Sequence, residues 1–341
     1  MKKSLIFFIT LIICAFVITG CTAPITSTSP ATVPASTAGL DWKTEVEPSP
    51  QGNALSDIWG SSSSDVFAVG VSGTIRHYNG EKWSDMISGT TDNLSSVWGS
   101  SSSDVFTVGE GGTILHYDGK SWSDMASGTT NWLYSVWGTS SSDVFVKGPQ
   151  SNLHYDGSTW SSILSISEWT NSLWGSSSTD VFAACLGGTI LHYNGDKWSN
   201  MLIPAITTTN SKTTSTKTTT TTTFTNPYQY DDFYGVWGSS SSDVFIVGGD
   251  HFNGETIIIH YNGKAWSTMN VNATNELYGV WGTSSSDVFA VGFTGTILHY
   301  DGKKWSAMTS NTTYDLLSIW GASSSDIFAV GNGGIILHYG H

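Results

Sequence analysis

Short apolar runs alternate with polar turn residues along most of the chain, and the same pattern recurs seven times. In residues 94–125, LSSVWGSSSSDVFTVGEGGTILHYDGKSWSDM, four segments rich in Val, Ile, Phe, Tyr and Trp are separated by Gly, Ser and Asp. These segments predict four short β-strands, named a to d in chain order, that are joined by turns. A period of about 40 residues with four strands per unit is typical of β-propeller blades. We therefore predict an all-β, seven-bladed β-propeller with four antiparallel strands per blade.

Two tryptophan series and one histidine series set the register of the repeats. Strand a ends in Trp-Gly at Trp59, Trp98, Trp137, Trp174, Trp237, Trp281 and Trp320. Strand c carries His-Tyr at His77, His116, His154, His192, His260, His299 and His338. Strand d contains Trp83, Trp122, Trp160, Trp198, Trp266 and Trp305, so the seventh repeat lacks this tryptophan. Trp42, near the N-terminus, has the spacing of the missing residue, and we predict that its strand completes the last blade. Closure of this kind protects a repeat protein from exposing unpaired edges.

The two ends of the sequence predict export and a tether. Residues 1–20 combine Lys2 and Lys3 with an apolar run, which predicts a secretory signal peptide. Because it ends in Gly-Cys, it resembles a bacterial lipoprotein signal. The resemblance implies a lipid on Cys21 that anchors the protein to the cell membrane or outer membrane, outside the cytoplasm. A plain signal peptide with an incidental cysteine and an uncleaved anchor are the alternatives. Residues 21–40, rich in Ser, Thr and Pro, predict a flexible tether before the propeller of residues 41–341.

Composition limits the partners and the covalent links of the chain. With 13 Lys and Arg against 27 Asp and Glu, the formal net charge is −14. Phosphate binding depends on clustered cations, so this charge argues against nucleic acid or anionic lipid headgroups as ligands. After Cys21, Cys185 is the remaining cysteine of the mature chain, and we expect it to be a buried free thiol. A threonine-rich run at about residues 203–232 has almost no apolar residues, and we expect a disordered insert there.

The polar residues that recur in every repeat are expected to serve the fold. Strand c lies far from the propeller axis, so its histidines diverge and cannot share a metal ion. We expect them to form side-chain hydrogen bonds, and we expect neither a metal site nor a cofactor. Each a–b turn ends in an aspartate: Asp65, Asp104, Asp143, Asp180, Asp243, Asp287 and Asp326. These aspartates and the serines before them are expected to hydrogen-bond backbone amides of the turn.

The repeats differ mainly in one class of connection. Four antiparallel strands place the a–b and c–d turns on one face of the ring, and the b–c and d–a connections on the other. The first set is nearly identical in all repeats, whereas the second set varies. Unequal positions are where one partner is recognised, so we place a binding site on the variable face, around the channel mouth. The candidate binding residues are Trp132, Trp169, Glu168, Tyr230, Asp232, His251, Phe252, Phe293 and Tyr314.

The repeat motif carries a resemblance to known propellers. Residues 108–115, VGEGGTIL, followed by Asp118-Gly119 and Trp122, resemble repeats of bacterial propellers of the photosystem II stability and assembly factor type. They are more distantly similar to the Asp-box of sialidases, but Gly119 directly follows Asp118 instead of standing two residues after it. The repeat pattern most resembles that of exported bacterial propeller proteins of unknown role, which are built from WGSS-DVFAVG-GTILHYDG-W repeats. The Gly-His and Trp-Asp signatures of WD40 repeats are absent. The resemblance, over about Trp42 to Gly340, implies the fold and leaves the activity open.

Two classes of function compete on these observations. The first is a non-enzymatic, surface-anchored and monomeric binding or scaffold lipoprotein that engages a protein or glycan. Trp132 and Trp169, which lie outside both tryptophan series, could stack on sugar rings, anchor a protein, or simply cover a blade edge. The second is a glycoside hydrolase or polysaccharide lyase with two carboxylates at the channel mouth. Its carboxylates would come from Asp57, Glu110, Glu168, Asp231, Asp232, Glu276 and Asp315. A sialidase is disfavoured because resemblance to that family implies three arginines and Arg76 is the only one. We predict the first class.

Overall fold

The chain forms a closed ring of seven blades. The structure is a computed structural model that describes residues 40–163, 169–201, 203, 206–214, 217–225, 228, 231–250 and 254–340. Seven four-stranded antiparallel sheets account for most of these residues. Strand a of each blade contacts strand a of the next blade, and the last contacts the first. The predicted seven-bladed propeller is confirmed.

The strands have nearly equal lengths in all blades, which we number from residue 55. The a strands are Leu55–Ser62, Leu94–Ser101, Ser135–Ser140, Thr170–Ser177, Asp231–Ser240, Leu277–Ser284 and Leu316–Ser323. The b strands are Asp65–Gly70, Asp104–Gly109, Asp143–Lys147, Asp180–Cys185, Asp243–Asp250, Asp287–Gly292 and Asp326–Gly331. The c strands are Ile75–Tyr78, Ile114–Tyr117, Asn152–Tyr155, Ile190–Tyr193, Thr256–Tyr261, Ile297–Tyr300 and Ile336–Gly340. The d strands are Trp83–Met86, Trp122–Asp124, Trp160–Ser162, Trp198–Asn200, Trp266–Thr268, Trp305–Met308 and, for blade seven, Asp41–Val46. Short 3₁₀ turns form four b–c connections: Val71–Gly73, Glu110–Gly112, Phe293–Gly295 and Asn332–Gly334.

The N-terminal strand closes the ring as predicted. Asp41–Val46 pairs antiparallel with Ile336–Gly340, so that Trp42 lies opposite Tyr339 and Lys43 opposite His338. The Trp42 side chain is 3% exposed and belongs to the apolar cluster between blades six and seven. The first and last strands of the propeller therefore share one sheet, and this sheet closes the ring.

The Trp-Gly pair of strand a has a packing reason. The Trp59 ring of blade one lies against Gly99 of blade two, where an added Cβ would be 2.7 Å from the indole. The same contact recurs around the ring up to Trp320, which lies on Gly60 of blade one. Any larger residue would displace the indole, so the pair is a blade-to-blade contact. Strand b, covered on both faces, is buried after its first aspartate, as in Asp65–Gly70; in blade five the last residue, Asp250, is partly exposed.

The threonine-rich insert differs from the prediction. Instead of a loop without regular structure, Ile206–Thr214 and Lys217–Thr225 pair as a two-stranded antiparallel sheet. Strand a of blade five then begins at Asp231, inside the range predicted to be disordered. The prediction weighed the lack of apolar residues, whereas a β-branched threonine run favours an extended backbone that can pair with itself.

The predicted signal peptide, the lipidation site Cys21 and the tether lie outside the described residues. Within the described part of the chain, no helix is long and apolar enough to cross a membrane. Cys185, inside strand b of blade four, is fully buried, as predicted.

Candidate functional site

The face with the a–b and c–d turns is held by the same side-chain bonds in blade after blade. In blade two, His116 Nε2 lies 2.7 Å from Asp104 Oδ1, and the Ser100 hydroxyl donates to the other carboxylate oxygen. The His–Asp hydrogen bond is 2.6 to 2.7 Å long in all seven blades. The structural role predicted for the histidines is confirmed. The aspartates, however, bond the strand-c imidazole in every blade and, in blades one to six, the hydroxyl of the Ser or Thr four residues earlier, instead of the predicted backbone amides. Blade seven has Ala322 at the hydroxyl position.

The c–d turns supply the backbone bonds on this face. Asp118 Oδ1 accepts hydrogen bonds from the Lys120 and Ser121 amides, each at 2.9 Å, and these bonds lower the pKa of Asp118. Asparagine fills the same position in other blades, for example at Asn79 and Asn194, with equivalent bonds. The polar groups of these turns are thus satisfied within their own blade, and the face is the same all round the ring.

The opposite face has seven positions with equivalent backbones and different side chains. We call the residue five places before the strand-a tryptophan the mouth position. In blade order the mouth positions hold Ala54, Asn93, Trp132, Trp169, Asp232, Glu276 and Asp315. In six blades the glycine near the end of strand b approaches the mouth carbonyl so closely that a Cβ would lie 1.9 to 2.1 Å from it. This contact fixes the backbone at the mouth position in those six blades. Blade four has Cys185 in place of the glycine, and its Leu186 amide donates to the Trp169 carbonyl at 2.9 Å.

A second ring of unequal residues lines the channel just below the mouth. Three places before the same tryptophan lie Ser56, Ser95, Tyr134, Asn171, Tyr234, Tyr278 and Leu317. Residues of all seven a strands enclose a channel cavity of about 210 Å³. This volume is below the roughly 300–1,000 Å³ of typical small-molecule sites. A ligand of ordinary size therefore lies across the mouth and does not enter the channel.

Blades three and four form an aromatic half of the mouth. The Trp132 and Tyr134 rings are stacked with centroids 5.6 Å apart, and Tyr134 and Trp169 follow at 6.3 Å. Trp169 is 43% exposed, whereas the strand-d tryptophan of blade four, Trp198, is 5% exposed. The three rings form a continuous aromatic row with one open end.

Blades five to seven form an acidic half. Asp232 Oδ1 accepts a hydrogen bond from the Gly187 amide at 3.1 Å, and Asp315 Oδ1 accepts one from the Thr294 amide at 2.8 Å. Both amides belong to the b–c turn of the preceding blade. Glu276 accepts a hydrogen bond from the Tyr278 hydroxyl at 3.0 Å. The three carboxylates are therefore held in place at the rim by the fold itself.

Tyrosines beside these carboxylates stay protonated. Burial, Glu276 and Asp232 raise the pKa of Tyr234. Burial and the Glu276 carboxylate, which also accepts its hydrogen bond, raise the pKa of Tyr278. The two rings meet edge to face with centroids 5.3 Å apart. Both hydroxyls therefore act as hydrogen-bond donors at the channel mouth over the whole physiological pH range.

Asp57, deeper in the channel, ties three blades together. Its carboxylate accepts hydrogen bonds from the Ser318 hydroxyl of blade seven at 2.7 Å and the Ser96 hydroxyl of blade two at 2.8 Å. The Val97 and Ile58 amides donate further bonds, each at 2.9 Å. Burial still raises the pKa of Asp57. Four donors occupy both carboxylate oxygens, so the role of Asp57 is to join blade one to blades two and seven.

Asp231, at the start of strand a in blade five, is the most perturbed carboxylate of the rim. It lies opposite Asp250 in the sheet and next to Asp232 in the chain. Burial, followed by the charges of Asp250, Asp232 and Glu255, raises the pKa of Asp231 to about 6. The side chain is 9% exposed. Such a group could donate a proton at neutral pH, which is the one feature here that fits an enzyme.

The structure brings some of the predicted site residues together and separates others. Trp132, Trp169 and Asp232 occupy equivalent mouth positions. Phe293 is 44% exposed in the b–c turn of blade six, where its amide donates to the Glu276 carbonyl. Tyr314 instead packs on the b–c turn of blade seven and on the neighbouring core cluster. Glu168, Tyr230, His251 and Phe252 lie outside the described residues.

Sequence reasoning missed the tyrosines below the mouth, Tyr134, Tyr234 and Tyr278. It compared the connecting turns, whereas Tyr234 and Tyr278 lie inside strand a and Tyr134 directly precedes it. Aligning the seven a strands on their tryptophans, column by column, would have shown them. Among the described residues, no group of three or more His, Cys, Asp and Glu is arranged to hold a metal ion.

Comparison with known proteins gives the fold. No family model and no curated protein matches the sequence. A solved structure of YCF48 bound to D1 peptide is similar with a TM-score of 0.69 and 15% identity, covering 91% of this chain and 100% of that chain. YCF48 from Cyanidioschyzon merolae gives a TM-score of 0.64 at 15% identity, over 88% of this chain and 98% of that chain. The WD40 β-propeller domain of Doa1 gives 0.66 at 12% identity, over 89% and 97% of the two chains. At these identities the likeness shows the propeller fold alone.

Proposed function

We propose that this protein is a non-enzymatic binding or scaffold lipoprotein that engages a protein partner through the mouth of its propeller. The observation that carries this proposal is the set of seven mouth positions, equivalent in backbone and different in side chain. Differences concentrated on one face of a repeat protein are typical of a recognition surface. The structure of a similar propeller, YCF48, with a bound D1 peptide supports a peptide or protein as the ligand.

The carboxylates of the channel favour binding over catalysis. Asp57 is saturated by four hydrogen bonds, and Asp315 holds the b–c turns of two blades through Thr294 and Asn332. A hydrolase needs one carboxylate that protonates and a second that attacks or activates water. Asp231 fits the first role by its raised pKa. Removing its charge tests the alternative: Asp231→Asn abolishes release of reducing ends from polysaccharides if the protein is a glycosidase, and changes nothing if it is not.

The anchor completes the proposal. Cys21 follows a signal of lipoprotein type, and the tether of residues 21–40 would hold the propeller away from the membrane. In cells, the Cys21→Ser variant is expected to lose incorporation of labelled fatty acid and to move from the membrane fraction to the soluble fraction. Unchanged labelling and fractionation of Cys21→Ser would contradict the lipid anchor.

Photocrosslinking tests which face meets the partner. A photoreactive phenylalanine analogue is placed at Trp169 on the mouth face or, as a matched control, at Lys120 in a c–d turn. Illumination of cells is expected to give a defined protein adduct from position 169 and none from position 120. Equal adducts from both positions, or an adduct from position 120 alone, would overturn the proposed site.

A glycan is the second candidate, because the Trp132–Tyr134–Trp169 row could stack on sugar rings. Replacing Trp132 and Trp169 by alanine together is expected to abolish partner binding without lowering the melting temperature. An Ile87→Ala variant, which alters a side chain that is 91% exposed, is the control. Binding on a glycan array that disappears in the double variant but not in Ile87→Ala would make the partner a glycan.

A further inference from the structure

The mouth has two chemically different halves. Around the ring, blades three and four contribute Trp132 and Trp169, and blades five to seven contribute three successive carboxylates. Blades one and two contribute Ala54 and Asn93, which are small and neutral. Because the blades follow one another in the ring, each half is continuous. An inference about the partner's chemistry can therefore be drawn, and it rests on the proposed function.

The aromatic half is part of the exposed apolar surface of the molecule. In the described residues, the exposed large hydrophobic side chains are Ile87 at 91%, Phe293 at 44% and Trp169 at 43%. Phe293 and Trp169 lie in b–c and d–a connections on the mouth face, whereas Ile87 directly follows strand d, the outermost strand of blade one. Trp169 lies beside Tyr134. Phe293 lies close to the mouth position of blade six, because the preceding residue, Gly292, packs against the Glu276 carbonyl. Exposed aromatic groups beside polar residues are typical anchors of protein interfaces.

In the acidic half, Glu276 and Asp315 carry charge that no ion pair among the described residues neutralises. Ion pairs in the described residues join Arg76 to Asp85, and the strand-c histidines to the turn aspartates or Glu45. Neither Glu276 nor Asp315 takes part in one. The c–d turns, on the opposite face, hold Lys82, Lys120, Lys197, Lys264, Lys303 and Lys304. A cationic ligand at the mouth would offset this charge and be attracted to it from a distance.

We propose that the mouth binds an extended peptide segment in which a lysine or arginine lies beside an apolar or aromatic residue. The apolar side chain lies on the Trp169–Tyr134 row, and the cation lies against Glu276 and Asp315. The channel cavity of about 210 Å³ keeps the backbone of the segment outside, across the mouth. A neutral glycan could stack on the same tryptophans, but it would leave the carboxylate charges without a counter-ion. The observations therefore favour the cationic peptide.

The first experiment selects peptides without assuming their composition. The full chain, in detergent micelles, is immobilised and exposed to a library of random twelve-residue peptides displayed on phage. Sequences bound by the wild type, but not by the Trp132→Ala and Trp169→Ala double variant, are recovered. Enrichment of lysine or arginine next to Phe, Trp, Leu or Ile is expected.

The second experiment measures the charge contribution with one selected peptide. The dissociation constant is compared between wild type and the Asp232→Asn, Glu276→Gln and Asp315→Asn triple variant. Amide oxygens still accept the turn and tyrosine hydrogen bonds, so the fold is kept. Loss of the three carboxylate charges, which are partly buried at the rim, is expected to weaken binding roughly 30-fold at low salt, and less at high salt. If the triple variant does not fold, Glu276→Gln alone is expected to weaken binding about threefold.

The control is a second triple variant, Asp118→Asn, Asp156→Asn and Asp301→Asn. It changes the net charge by the same amount on the opposite face, at positions where other blades already carry asparagine. Its affinity is expected to stay within twofold of wild type. Equal weakening by both triple variants would show an effect of net charge and overturn the assignment of the site.

The outcomes separate this inference from the proposed function. Selected peptides that are acidic or uncharged, yet lost in the double tryptophan variant, would refute the cationic ligand and leave protein binding at the mouth intact. If no peptide is selected and a neutral glycan binds through Trp132 and Trp169, both the cationic peptide and the protein partner are wrong.

Discussion

The two faces of this propeller show how one repeat can serve a fold and a function at once. On the a–b and c–d face, side chains such as Asp104, His116 and Asp118 satisfy one another or the local backbone. A change there leaves a polar group unpaired. At the mouth, backbone carbonyl and glycine contacts fix the frame, so Ala54, Trp132 and Glu276 fit equivalent places. Side chains diverge at positions where the frame does not require one particular residue, and those positions become available for recognition.

The largest effect should follow from a tryptophan that belongs to the repeated series. Trp42 is 3% exposed and completes the sheet of blade seven. Trp42→Ala is expected to lower the free energy of unfolding by about 3–5 kcal/mol, because it leaves a cavity at the point of ring closure. Urea denaturation measures this change.

The paired control is a tryptophan outside the series. Trp169→Ala removes a side chain that is 43% exposed and is expected to change stability by less than about 0.5 kcal/mol. Similar losses in Trp42→Ala and Trp169→Ala would erase the distinction between repeated and unrepeated tryptophans.

Asn152 breaks the repeat inside the core, and restoring the repeat should stabilise the protein. It is 3% exposed, and neither its amide oxygen nor its nitrogen has a hydrogen-bond partner. Six blades have isoleucine here, for example Ile114, which is fully buried. Asn152→Ile is expected to raise the free energy of unfolding by about 2 kcal/mol, because it replaces an unpaired buried amide with an apolar group. The melting temperature of each variant is the measurement.

The reverse change in blade two is the control for Asn152. Ile114→Asn should destabilise the protein by at least as much as Asn152→Ile stabilises it. A loss of stability in Asn152→Ile would mean that Asn152 has a specific structural role in blade three. A buried residue that differs from the repeat would then not always destabilise the fold.

Asp57 is an unequal residue that serves the fold and not the site. Asp57→Ala removes the shared acceptor of Ser318, Ser96 and the Val97 amide and is expected to lower the free energy of unfolding by about 2 kcal/mol. Asp57→Ser should cost less, since Ser96 at the same position in blade two accepts the Val136 amide at 3.2 Å. Chemical denaturation distinguishes the two variants. If both are neutral, the channel bonds do not hold blade one between its neighbours.

The sequence predicted the ring better than the mouth for a physical reason. The number of blades follows from the repeat period, and the pairing of Trp42 follows from one missing tryptophan in the last repeat. Both can be counted along the sequence without knowledge of distant contacts. Trp132 and Trp169 stood out because they broke the tryptophan series. Asp57 was grouped with possible catalytic carboxylates, since its partner Ser318 lies 261 residues away in the chain. The threonine run was assigned by hydrophobicity alone, although backbone pairing does not require an apolar face.

The smallest expected effect concerns Asp231 and depends on pH. Its pKa in the fold is raised from 3.8 to about 6 by burial and neighbouring carboxylates. Well below pH 3.8 the group is protonated in the folded and unfolded states, and it does not oppose folding. Between pH 3.8 and 6 the unfolded state ionises while the folded state keeps its proton, so the stability present at low pH is lost as the pH rises to the folded pKa. Asp231→Asn should therefore stabilise the protein by about 1 kcal/mol at pH 8, after allowance for solvent screening, and by nothing at pH 3.5. Thermal melting at the two pH values measures the difference, with Asp124→Asn on exposed strand d as the control.

A pH-independent effect of Asp231→Asn would show that Asp231 is not repelled by Asp232 and Asp250 in the same blade. The acidic half would then lack the concentrated charge that distinguishes it from the repeated face.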